Sequence, residues 1–140
     1  MTDATDDDIE SLLDVDTIAV VGCSGTPGKA AHDVPAYLQR QGYDVVPVNP
    51  NREAVLGRPA ADSLADVDEA VELVDVFRPS EAVSGVVDEV LERVATRGDV
   101  RGVWLQLGIR DDDAAARARE AELRVVQDRC LKVEHRQRRE

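Results

Sequence analysis

Five short apolar runs divide the chain at regular intervals: Thr17-Ile18-Ala19-Val20-Val21-Gly22, Asp44 to Asn49, Leu73 to Phe77, Gly102 to Leu107 and Arg124 to Gln127. Each is too short for a helix and rich in β-branched residues. The pattern predicts strands buried on both faces, as parallel strands are. Pro47 lacks a ladder donor, so the second strand is expected at an edge or at an irregularity. Helix-spaced apolar positions lie between the runs. Ala31, Val34 and Leu38 predict a helix that begins near His32 or Asp33, because Pro35 is tolerated only close to a helix start, and that stops at Gly42. Ser80 is positioned as an N-cap for a helix carrying Val83, Val86, Val87, Val90, Leu91 and Val94 on one face. Asp111 to Asp113 open an Ala-rich helix reaching Ala121, and Ser63 to Val67 read as a small turn.

The ends are more polar. Residues 1–16 form a lead-in, with a short helix that places Asp6 to Asp8 in its first turn and Ile9, Leu12 and Leu13 on a stripe. His135 to Glu140 read as a frayed polar tail, leaving a central domain over residues 17–134. The strand-helix alternation implies right-handed crossovers and a parallel sheet covered on both faces. The expected class is α/β, a Rossmann-type three-layer sandwich with a five-stranded parallel sheet.

Composition narrows the function. The 140 residues carry a formal net charge of −12. Counting the sequence gives 18 Asp, 11 Glu, 15 Arg and 2 Lys. Such acidity opposes a duplex nucleic-acid partner, which needs a basic face. No apolar run approaches the ~20 residues of a membrane span, and the acidic start lacks the basic region of a secretory signal. Cys23 and Cys130 form neither a disulfide framework nor a zinc pattern, so no metal site is expected. The expectation is a reduced, cytoplasmic protein. The acids are spread along the chain, which favours a protein adapted to high salt over one with a single basic partner.

In open α/β sheets ligands bind beyond the carboxyl ends of the strands. After the first strand stands Gly22-Cys23-Ser24-Gly25-Thr26-Pro27-Gly28-Lys29, whose glycines, hydroxyls and lysine at a helix start suit a phosphate or pyrophosphate. The spacing matches neither G-x-G-x-x-G nor the P-loop. A tight turn without a ligand is the alternative. Asn49-Pro50-Asn51-Arg52 follows the second strand, where an NAD site carries an acid. Phe77-Arg78-Pro79 offers an apolar shelf and a cation, and Gln106, Gly108 and Ile109 border the path of an extended ligand. Cys23 reads more simply as a small packing residue than as a nucleophile.

The segments IAVVGCSGTPGKAA, GYDVVPVNP, EAVLGRPAADSL, VDVFRPSEAV, VWLQLGI, VVQDRC and VEHR, in that order over residues 17–136, resemble the small stand-alone CoA-binding proteins. These are related to the CoA-binding domain of the succinyl-CoA synthetase alpha subunit. The resemblance implies strand order 3-2-1-4-5 and a coenzyme A or acyl-CoA pocket. The pyrophosphate would lie on Ser24 to Lys29, the adenine and 3′-phosphate near Asn49 to Arg52 and Phe77 to Pro79, and the pantetheine toward Gln106 to Ile109. Gly25, Lys29 and Ala31 stand where the family commonly has hydroxyl or Arg-x-Ser contacts. The synthetase's phosphorylated histidine belongs to a domain absent here, and neither His32 nor His135 matches it. The resemblance therefore implies a CoA binder with no catalytic residues. Two alternatives remain: a non-catalytic subunit of an acyl-CoA synthetase-type enzyme, paired with itself or a partner chain, and an NADP-binding Rossmann protein.

Overall fold

The computed structural model describes residues 4–139. Along the chain run α1 (Asp6–Leu13), β1 (Thr17–Val21), α2 (Ala30–Arg40), β2 (Asp44–Val48), β3 (Ala54–Val55), β4 (Arg58–Pro59), β5 (Leu73–Val76), α3 (Val83–Arg97), β6 (Gly102–Leu105), α4 (Asp112–Glu120), β7 (Arg124–Val126) and α5 (Leu131–Arg139). Short 3-10 turns occupy Leu64–Asp66 and Ser80–Ala82. The five predicted runs form one parallel sheet, and the α/β Rossmann-type class holds.

The strand order differs from the one expected. The sheet runs β2-β1-β5-β6-β7, which is 2-1-3-4-5 in the chain order of its five strands, not 3-2-1-4-5. Pro47 supplies a physical reason. Its carbonyl accepts from Ala61 N at 3.0 Å on the outer edge of β2. A third strand placed there would lack the donor that Pro47 cannot provide. The chain instead recrosses the sheet with Leu64, Val67 and Val71 buried, and β5 pairs with β1.

Alternating side chains divide the core. One layer packs β-strand residues against α3, α4 and the 64–71 connection, through Val48, Leu64, Val74, Val76, Val86 and Val90. The other packs Ile18, Val20, Leu73 and Trp104 against α1, α2 and α5. A buried Arg93–Asp99 ion pair pins the connection. Arg93 donates to the carbonyls of Leu64, Val67 and Glu69 at 2.9, 2.9 and 2.7 Å. Asp99 accepts from Val71 N at 2.9 Å.

Three local expectations are corrected. Residues 135–139 are not a frayed tail but the last turns of α5. His135 is buried there, with Tyr37 Oη 2.7 Å from its Nδ1. Arg138 pairs with Asp6, Glu10 and Glu134. Ser80 does not cap α3; its Oγ accepts from Arg110 N at 3.0 Å. Helix α2 begins at Ala30, ahead of the position expected from Pro35. The lead-in helix α1 is capped by a reciprocal Thr5–Asp8 box and packs into the second core layer. Residues 1–3 of the lead-in and Glu140 of the tail lie outside the described residues.

Candidate functional site

The carboxyl ends of β2, β1 and β5 are laced together. Gly22 N donates to Val48 O and Phe77 N to Val21 O, both at 2.9 Å. Gly22 has φ +86°, and a Cβ there would lie 3.1 Å from the Phe77 carbonyl oxygen. Only glycine permits this crossing. It brings the glycine-rich turn, the Asn49–Arg52 loop and the Phe77–Pro79 loop side by side.

The turn is anchored through α2. Pro35 has no N–H, which leaves the Ala31 carbonyl without its helical donor. Ser24 N takes that place at 2.8 Å. Ser24 Oγ then accepts from Thr26 N at 3.0 Å. Asn49 clamps the neighbouring loop, donating from Nδ2 to the Cys23 carbonyl and accepting Asn51 N at Oδ1, both at 2.8 Å. Asp33 accepts Gly28 N at 3.1 Å and lies 3.1 Å from His32 Nδ1. These two donors hold its carboxyl below the usual range, the His32 contact first. Gly28 N is therefore committed to the protein. The N–H groups of Gly25, Ala30 and Ala31 make no hydrogen bond among the described residues.

Arg52 lies over the turn. A Cβ on Gly25 would approach its Cζ to 2.9 Å, so the bare glycine makes room for the guanidinium. Lys29 is the N-cap residue of α2 and is exposed. Arg78 packs its Cδ against Gly22. Among the described residues, Lys29, Arg52 and Arg78 form no ion pair, although the chain carries 29 acidic side chains. Unpaired cations and free N–H groups around one turn are the chemistry that holding an anion requires.

A cleft of about 420 Å³ opens beside the turn, within the size range of small-molecule sites. Val21, Val48, Leu64 and Val86 give it an apolar lining. Of the sequence-predicted residues, Gly22, Asn49, Pro50, Phe77, Arg78 and Pro79 line it. Cys23, Ser24, Gly25, Thr26, Pro27, Gly28, Lys29 and Arg52 lie outside that lining, on the glycine-rich turn or against it. The Phe77 side chain packs with the α1, α2 and α5 layer, so the apolar shelf comes from the valines and leucine instead. Gln106, Gly108 and Ile109 are outside the cleft and serve the β6–α4 turn. Gln106 Oε1 accepts Leu131 N at 3.2 Å, Gly108 N donates to Asp128 Oδ1 at 2.6 Å, and Ile109 O accepts Asp128 N at 3.2 Å. Sequence reasoning missed Asp62, Ser63, Gly85 and Glu89 in the cleft wall. Gly85 inside an otherwise regular helix was the available signal, because it costs helix stability without serving as a cap.

Cys23 is fully buried, and burial, with a smaller contribution from Asp75, pushes its thiol pKa up to about 12. Asp75 lies on the central strand β5 between Val20 and Trp104, and neither carboxylate oxygen has a hydrogen-bond partner. Burial raises its pKa well above the usual range. No group of His, Cys, Asp and Glu among the described residues is arranged to hold a metal, and no helix among them is long and apolar enough to cross a membrane.

The chain is similar to known proteins over most of its length. The family model for a CoA binding domain matches residues 16–136. The uncharacterized protein YneT of Bacillus subtilis is 38% identical over 118 residues, 84% of each chain. A Thermus thermophilus protein solved as cell-free ID.343 superposes with a TM-score of 0.83 at 42% identity, covering 95% of this chain and 98% of that one. An ADP-forming acetate–CoA ligase of Archaeoglobus fulgidus is 27% identical over 112 residues, which are 79% of this chain and 16% of the ligase.

Proposed function

This chain belongs to the CoA binding domain family, and from that premise we propose that it is a non-catalytic module holding coenzyme A across the β1–β5 crevice. The CoA diphosphate rests on the turn from Ser24 to Lys29, with Arg52 above it and Lys29 at the helix start. The adenosine end enters the 420 Å³ cleft and the pantetheine leaves along the strand ends. The observation that carries this reading is the set of three carboxylate-free cations around unpaired N–H groups in a strongly acidic chain. With its thiol buried and held protonated, Cys23 supplies no nucleophile. CoA is preferred to NADP because the family binds CoA.

Charge-assisted contacts contribute roughly 1.5–3 kcal/mol, so Lys29→Ala and Arg52→Ala should each weaken CoA binding by about tenfold or more. Isothermal titration checks this; unchanged affinity in both variants overturns the phosphate assignment. The ligase relative favours a second arrangement, in which the module works beside a separate catalytic chain. Under either arrangement the isolated protein forms no acetyl-CoA from acetate, ATP and CoA, and turnover would refute the non-catalytic reading.

A further inference from the structure

The cleft lining carries both signs of charge. Arg78 follows β5, with Arg52 over the neighbouring Gly25, while Asp62 follows β4 and Glu89 lies on α3. Among the described residues, neither acid forms an ion pair or a side-chain hydrogen bond. A carboxylate such as Glu89 disfavours a neighbouring phosphate and accepts hydrogen bonds, so what fits beside it is an uncharged ring bearing hydrogen-bond donors. The α3 face supplies the matching shape: Ala82, Gly85, Val86 and Glu89 line the cleft at helical spacing. Gly85 has ordinary helical backbone, and a Cβ there would meet nothing within 4 Å. The missing side chain therefore leaves bare helix backbone facing open space in the cleft.

We propose that Gly85 and Glu89 are specificity-determining residues that select an amino-bearing purine at the nucleotide end of the ligand. The base lies flat against the backbone at Gly85, and the half-buried Glu89 carboxylate accepts from its exocyclic amine. This rests on the CoA reading above and identifies which part of CoA the cleft distinguishes.

The test titrates CoA and its hypoxanthine analogue into the wild-type protein and into Gly85→Ala, Gly85→Leu and Glu89→Gln, with melting of each free protein measured alongside. Gly85→Ala should melt no lower than wild type, since its added Cβ meets no neighbour within 4 Å, and the melting of Gly85→Leu shows whether the longer side chain disturbs the fold. CoA affinity should fall with side-chain size, by about tenfold or more for Gly85→Leu. Wild type should prefer CoA to the analogue by about tenfold, and Glu89→Gln should erase that preference because its amide can donate to the 6-oxo group. Undiminished CoA affinity in Gly85→Leu, or equal affinity of wild type for both ligands, overturns the inference while leaving the CoA reading intact. Absence of CoA binding by wild type overturns the CoA reading itself, and this inference with it.

Discussion

Replacing Asp75 with Asn should make the protein progressively more stable than wild type as pH rises. Asp75 occupies the central strand, is fully buried and has no hydrogen-bond partner on either oxygen. Burial therefore holds its carboxyl in the protonated form well above the ordinary Asp range. Unfolding releases the group to an ordinary pKa of about 3.9. Between that value and the folded value, the native state binds one proton more than the unfolded state. Wild-type stability accordingly loses about 1.4 kcal/mol per pH unit from this group over that window. Below pH ~4 both states are protonated and the contribution vanishes. Asn has nearly the same shape and does not ionise. The difference in unfolding free energy between Asp75→Asn and wild type cancels the other acids and isolates this carboxyl. Urea titrations followed by Trp104 fluorescence at successive pH values should show that difference rising at up to ~1.4 kcal/mol per unit from pH ~4, then flattening where the folded carboxyl ionises. A pH-independent difference would mean that Asp75 ionises alike in both states, and would refute the reasoning.

Further predictions concern the turn, the thiols and the surface. Gly25→Ala should displace the flexible Arg52 guanidinium at little cost in stability, weakening CoA about tenfold while leaving the melting temperature within a few degrees; a large stability loss would show that Gly25 serves the fold instead. Pro35→Ala restores a helical donor for the Ala31 carbonyl, so hydrogen exchange at the Ser24 amide should accelerate; unchanged protection would show that Ser24 does not depend on that carbonyl. A thiol reagent applied to the native protein should label the half-buried Cys130 and spare Cys23 until unfolding, and rapid labelling of Cys23 would contradict its buried, protonated state. Molar KCl should raise the urea midpoint above its low-salt value by screening the −12 charge, and a fall would argue against adaptation to salt.

The strands were legible because each is a dense β-branched run between turn residues. Their order was not. It depends on how residues 49–72 recross the sheet, and that segment has no periodic pattern; only Pro47 hinted that β2 must be an edge. The β3–β4 hairpin escaped notice because Leu56 takes a positive φ, a conformation that its side chain gives no reason to expect. Helix α5 looked like a tail because its buried positions include polar residues: His135 is satisfied by Tyr37 from distant α2, and Glu134 by Arg129 and Arg138 close by in the chain. The candidate turn was legible because glycine, hydroxyl and lysine coincide at one strand end. Its far wall was not, since Asp62 and Glu89 resemble any other surface acid until α3 and the connection face each other. Gln106 to Ile109 show what the sequence could not reveal: polar groups at a strand end that also bond to the adjoining Asp128 turn and to Leu131.

Calorimetric titration of the wild-type protein with CoA in molar KCl, and in parallel with NADP, tests the central claim most directly. The account predicts one CoA per chain, no heat from NADP, and a stability gain near 2.7 kcal/mol when free CoA reaches about 100 times its dissociation constant. Absence of heat and of stabilisation with millimolar CoA, or tighter binding of NADP, would contradict it.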